Sequence, residues 1–258
     1  MTATSDRGVS PREEEPSPHD AAGPGVLGDS HLQNLVLEDL SDAVNYQRWL
    51  ADLVRPHLGE NPLEIGSGIG YYAALWLADV EHFTVTEGDE SRLRALTERF
   101  VGEPKVTVRE LLLPTELTAQ HSSIVALNVW EHIEDQVGAL RSAVRLLQPG
   151  GKVVLVVPAF EFAMSRFDRE IGHVRRYTTA TMRSALTEAG LEIEQLRYVN
   201  PVGLLSWVVM CKWLRQRPKN GPLLRGYDRF VVPALRRAEQ GRRPPFGQSV
   251  FAVARQVG

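Results

Sequence analysis

A chain of 258 residues, 43% hydrophobic and 24% charged, has ordinary globular composition and enough length for one large α/β domain with appendages. No run approaches the roughly 18–20 apolar residues of a membrane-spanning helix, and the opening MTATSDRGVS lacks the apolar stretch of a secretory signal. The single cysteine, Cys211, excludes an intrachain disulfide and a cysteine-cluster metal site; no metal ligands are assigned, and a cytoplasmic location is the expectation.

Residues 1–27 are rich in Ser, Pro, Gly and acids, the composition of a disordered arm. Residues 28–60 are expected to form a helical segment: Val44, Trp49, Leu50, Leu53 and Val54 recur at helical spacing, with Ser41 as N-cap and Gly59 past the end. Strand and helix patterns then alternate through residues 61–200. Strands are expected at 62–66, 82–87, 105–110, 122–129, 152–158 and 191–199, with helices at 71–80, 91–100, 136–147 and 178–190 and a turn at 148–151. A last strand lies within 248–258. The pattern predicts an α/β fold, a Rossmann-like, seven-stranded, mostly parallel, doubly wound sheet. The excursion at 201–247 is too long for a plain loop and is expected to be a helical insertion before the last strand. It carries ten basic residues against Asp228 and Glu239, whereas residues 1–40 carry eight acids against Arg7 and Arg12.

Three motifs carry chemistry. Between the first strand and its helix stands Glu64-Ile-Gly66-Ser67-Gly68-Ile-Gly70, where glycines allow a tight turn and close approach of a ligand to the backbone. Its G-x-G-x-G spacing departs from the G-x-G-x-x-G of dinucleotide sites. Glu64 can brace that loop or pair, through water, with an ammonium group. Glu87, followed by Gly88, ends the second strand 17 residues after Gly70, where a carboxylate accepts both ribose hydroxyls of an adenosine ligand. The third is LNVWEHIED at 127–135, at the carboxyl end of the fourth strand, where open α/β sheets bind ligands.

With the Q-P-G-G turn that follows, these motifs resemble, in order and spacing, class I S-adenosylmethionine-dependent methyltransferases, over about residues 41–200 and the last strand. The resemblance implies S-adenosylmethionine as methyl donor and S-adenosylhomocysteine as product. It puts Gly66, Ser67, Gly68 and Gly70 at the methionine part of the donor and Glu87 with Gly88 at the ribose. Glu110 and Leu111 would flank the adenine, Asn128 and Val129 would close the site beneath the sulfonium, and Tyr46 would reach the donor carboxylate. Many members have an aspartate after the third strand for the adenine amino group; Glu110-Leu111-Leu112 stands there.

The segment FDREIGHVRRYT at 167–178 resembles one found in a subset of these enzymes acting on small molecules or lipids. It would place His173, Arg175, Arg176 and Tyr177 at the acceptor; the alternative is a surface turn capped by Asp168. His173 and His132 are candidate general bases and Tyr177 a candidate positioning group, although His132 could equally brace its own loop. Trp130 and Trp207 complete the candidate acceptor contacts. The apolar stripe of the insertion, with its basic flank, suggests a hydrophobic acceptor; packing on the sheet, homo-oligomer formation and peripheral membrane contact are its other readings.

The expected function is therefore methyl transfer by in-line displacement to a small, lipid-like or natural-product acceptor. An arginine bias of 25 to 4 over lysine fits a GC-rich genome and tilts the reading toward secondary metabolism. Nucleic acid is not expected as acceptor, because no flipped-base tetrapeptide or zinc module is present. A donor-binding cyclase or scaffold and a nicotinamide-dependent oxidoreductase are the alternatives.

Overall fold

The structure is a computed structural model that describes residues 42–256. The expectations for the 1–27 arm, the first part of the 28–60 segment and the Ser41 cap lie outside the described residues.

Seven strands form one sheet in the order β3-β2-β1-β4-β5-β7-β6. They are β1 (Pro62–Glu64), β2 (Phe83–Glu87), β3 (Val106–Glu110), β4 (His121–Leu127), β5 (Leu147–Pro158), β6 (Leu191–Val199) and β7 (Ser249–Gln256). The first five run parallel; β7 lies antiparallel between β5 and β6. This is the Rossmann-like, mostly parallel sheet that the alternation predicts.

Helices cover both faces, as a parallel sheet requires. In chain order they are α1 (Val44–Val54), α2 (Tyr71–Trp76), α3 (Glu90–Arg99), α4 (Gln136–Arg145), α5 (Arg166–Glu170), α6 (Thr179–Glu188), α7 (Pro201–Trp207), α8 (Pro222–Gly226) and α9 (Val232–Glu239). The period-two alternation of the central strands sorts the core into two layers. Ile124 and Ala126 of β4, with Val153, Leu155 and Val157 of β5, pack against Leu140 of α4 and Met182 of α6. Val125 and Leu127, with Val154 and Val156, face Leu50 of α1, Trp76 of α2 and Leu96 of α3. Each such fully buried aliphatic side chain contributes about 2 kcal/mol.

Two boundaries differ from expectation. The helix expected over 71–80 is α-helical only to Trp76, and Leu77–Asp79 tighten into a 3-10 turn, a common way to satisfy terminal carbonyls. The Gln148–Gly151 turn is a bulge within β5: Leu147 pairs with His121, pairing resumes at Lys152 with Ser123, and Gly150 turns at φ +76°.

The insertion is helical. Helix α7 runs on into a π-helical stretch, Val208–Trp213, and a second one, Tyr227–Val231, joins α8 to α9. Asn200, in the left-handed region at φ +63°, turns β6 into α7. Its side-chain oxygen accepts from the Gly203 N–H at 2.8 Å and the Tyr227 hydroxyl at 2.8 Å, and its amide donates to Gln248 at 2.9 Å. One side chain thus ties the entry, the middle and the exit of the insertion.

Candidate functional site

The carboxyl ends of β1, β2, β4 and β5 open into a cavity of about 1490 Å³ roofed by the insertion. The glycine loop forms one wall, and its three glycines all lie in the left-handed region, at φ +65°, +56° and +78°. A Cβ on Gly66 would stand 2.7 Å from Val129 Cγ2, so that position needs glycine on both conformational and steric grounds. The Ser67 N–H donates to the Thr86 carbonyl at 2.7 Å and Thr86 N–H returns a bond to Ser67 Oγ at 3.2 Å, stitching the loop to β2.

Glu87 organises the loop from the end of β2. Its Oε2 accepts from the Gly68 N–H at 3.0 Å; its Oε1 accepts from the N–H groups of Gly88 and Asp89, and from Arg92 Nη2 at 3.2 Å. Glu64 lacks such support: its carboxyl is buried and Oε2 has no hydrogen-bond partner. Burial pushes its pKa up to about 7, with Glu87 adding repulsion and Ser67 partly offsetting it.

The opposite wall comes from the end of β4 and the segment after β5. Asn128 turns at φ +55°, and the 3-10 turn Trp130–His132 follows it. Glu131 is fully buried and neither carboxylate oxygen has a hydrogen-bond partner from another residue. Desolvation raises its pKa to about 7, against the attraction of His173. His132 stacks edge-on against His173, ring centroids 4.7 Å apart. Burial above all, and His173 after it, lowers the His132 pKa to about 3, so His132 is a neutral imidazole at physiological pH.

His173 is held from behind. Its Nδ1 lies 2.9 Å from Asp168 Oδ1, and its Nε2 lies 3.8 Å from Glu131 Oε1. Asp168 is fixed in turn by the capping box of α5, where its carboxylate accepts from the Ser165 N–H and hydroxyl, and by Arg176 Nη2 at 2.7 Å. Burial opposes ionisation of Asp168, but the bonds from His173, Arg176 and Ser165 outweigh it and hold the carboxyl well below the usual range.

Of the residues singled out in the sequence, Tyr46, Glu64, Gly66, Ser67, Gly68, Glu87, Gly88, Leu111, Asn128, Val129, His132, His173, Arg176 and Trp207 line the cavity. Five stand off it. Gly70 packs on α3, where a Cβ would come 2.6 Å from Phe100. Glu110 ends β3 with an exposed side chain, and Leu111, Leu112 and Leu113 take the wall beside it. The Trp130 indole is buried and donates to the Gln136 carbonyl, and the Tyr177 hydroxyl is buried and donates to the Trp130 carbonyl. Arg175 donates to the carbonyls of Ile133 and Glu134, bracing the loop after β4. The guanidinium of Arg176 lies 4.9 Å over the Trp207 ring, and it is already spent on Asp168 and the Ala159 carbonyl.

The sequence alone does not single out Glu131, and it offers Asp168 only as the cap of a surface turn. The Ser165-x-x-Asp168 spacing of the capping box is the one local signal that could have placed Asp168.

A methyltransferase-domain family model matches residues 37–196. A Mycolicibacterium smegmatis protein named "Probable S-adenosylmethionine-dependent methyltransferase" is 32% identical over 160 residues, 58% of each chain, so the chain spans little more than half the length of that relative. Among solved structures, a geranyl diphosphate methyltransferase in complex with GPP and sinefungin is similar at 13% identity and TM-score 0.57, covering 81% of this chain and 77% of that one. The [4+2]-cyclase SpnF is similar at 16% identity and TM-score 0.56, over 92% and 100%.

Proposed function

Since the chain belongs to the methyltransferase-domain family, as a class I S-adenosylmethionine-dependent member, we propose that it transfers the donor's methyl group to a small, hydrophobic acceptor of natural-product or lipid-like kind. The observation that carries this reading is the single cavity joining two chemically distinct walls. The glycine loop, Glu64 and Glu87 supply the donor side, while Leu205, Trp207, Val209, Leu223 and Leu224 of the insertion bring apolar surface to the other. At about 1490 Å³ the cavity exceeds the roughly 300–1,000 Å³ of an ordinary ligand pocket, room for donor and acceptor together.

In this reading the Gly66–Gly68 loop takes the methionine part of the donor, with its ammonium at Glu64. Glu87 takes the ribose hydroxyls, and Leu111–Leu113 the adenine face. The sulfonium is a good leaving group, so alignment and exclusion of water are the protein's main tasks. The acceptor lies against His132 and His173, with Asp168 beside His173. Tyr177 and Trp130 support that wall from behind. No helix among the described residues is long and apolar enough to cross a membrane; the reading includes an acceptor met in the cytoplasm.

The test is turnover with a panel of apolar hydroxyl-bearing acceptors, following S-adenosylhomocysteine by mass spectrometry. Stoichiometric accumulation with one acceptor supports the reading. Conversion of an acceptor without S-adenosylhomocysteine would replace it with a cyclase-like use of the donor.

A further inference from the structure

One carboxylate oxygen of Glu131 and one ring nitrogen each from His132 and His173 lie within 4.8 Å of one another on the cavity wall. Three features distinguish this cluster from a structural knot. Glu131 is fully buried, yet no other residue donates a hydrogen bond to either oxygen, an expensive arrangement for a group that folding could have paired. The buried cation beside it, Arg176, is committed to Asp168 and the Ala159 carbonyl. Both imidazoles also present a free face. Neither His132 Nδ1 nor His173 Nδ1 makes a hydrogen bond of good geometry, while His173 Nε2 lies 3.8 Å from Glu131 Oε1 and its Nδ1 2.9 Å from Asp168 Oδ1.

The last contact is diagnostic. A histidine that ligates a metal through one nitrogen almost always donates from the other to a carboxylate or carbonyl, which fixes tautomer and ring orientation. Asp168, with Oδ1 2.9 Å from His173 Nδ1, stands where that support is needed. We infer that Glu131, His132 and His173 form a binding site for one first-row divalent cation, open toward the acceptor side of the cavity. Two imidazoles and one carboxylate favour ions from manganese to zinc over magnesium. Around such an ion, ligand atoms about 2.1 Å from the metal stand about 3.4 Å apart. The present spacing, up to 4.8 Å, must contract by about 1.4 Å when the ion binds.

This inference rests on the methyl-transfer reading for what the ion does there. An acceptor hydroxyl bound to the cation becomes acidic, as metal-bound water does. Its O–H bond breaks, the proton passes to water, and the oxyanion stays on the ion. That oxygen then forms a bond to the methyl carbon as the carbon–sulfur bond breaks, and S-adenosylhomocysteine leaves neutral. The histidines act as ligands that hold the ion rather than as proton carriers.

Cobalt(II) chloride titrated into the chelator-treated full chain, without donor or acceptor, tests the site. The expected result is one equivalent bound, with visible d–d absorption, displaced by zinc but not by a similar concentration of magnesium. Glu131→Gln should bind cobalt at least about tenfold more weakly while keeping wild-type affinity for S-adenosylhomocysteine. His132→Gln, at a side chain that is only partly buried, gives the same comparison should Glu131→Gln fail to fold. Wild-type chain that binds cobalt no more tightly than either variant overturns the site. Failure to bind S-adenosylhomocysteine with cobalt binding intact would instead remove the methyl-transfer reading and leave the site standing.

Discussion

Asp228 accepts a hydrogen bond from the backbone N–H of Tyr46 at 2.8 Å, so a residue of the insertion caps the helix that opens the described fold. The same carboxylate accepts from the Asn45 N–H and side-chain amide at 2.9 and 3.0 Å. Helix α1 has no side-chain cap of its own at Ala43, and Asp228 supplies one from 182 residues away. Because Tyr46 and Asp228 both line the cavity, this contact joins the roof to the donor side. Asp228→Ala should lower stability by about 1–2 kcal/mol, read from urea unfolding. It should also weaken acceptor binding more than Glu239→Gln, a change beyond the cavity wall.

Gly66→Ala should abolish donor binding, since it forces a side chain into the left-handed region and against Val129. Gly150→Ala is the matched control: its φ is +76° but its Cβ would meet open space. It should cost about 1 kcal/mol of backbone strain in a thermal melt with donor affinity unchanged. Equal loss of affinity in both would show that the loop is not the donor site.

Donor binding should strengthen as pH rises through 7. Glu64, with its pKa raised to about 7 by burial, is partly protonated in the free chain. An ammonium group placed against it favours the carboxylate and lowers that pKa, so binding releases a proton. Below pH 7 the proton must be removed at a cost, and affinity falls by up to about tenfold per unit. Titration calorimetry in buffers of different ionisation enthalpy should report the released proton, and Glu64→Gln should flatten the profile.

Arg176→Ala should destabilise the fold by about 3 kcal/mol or more, because it strips the buried Asp168 of its ion pair. Arg175→Ala, which removes the bonds to the Ile133 and Glu134 carbonyls, should cost less and act on turnover through the loop after β4. Chemical denaturation of the two variants side by side separates the roles that adjacent arginines share in sequence.

The sheet was legible because its signals are local. Runs such as Val153–Val157 are apolar on both faces, and each glycine of the loop announces a backbone that other residues resist. Glu87 could be placed for the same reason, being fixed by the strand it ends. The wall proposed for the acceptor was not legible, because its geometry is made by distant partners. Nothing near Tyr46 announces Asp228, and nothing in FDREIGHVRRYT shows that Arg175 turns away while Arg176 and His173 converge on Asp168. Glu131 looks like a helix-turn acid until its burial is known.

Titration calorimetry with S-adenosylmethionine and S-adenosylhomocysteine, using Glu87→Ala with a matched thermal melt, tests the central claim most directly. The account predicts one donor per chain, bound in the micromolar range by the wild type and at least about a hundredfold more weakly by the variant, whose two charge-assisted ribose bonds are gone. Binding of a nicotinamide dinucleotide in place of either ligand, or donor affinity untouched by Glu87→Ala, would contradict it.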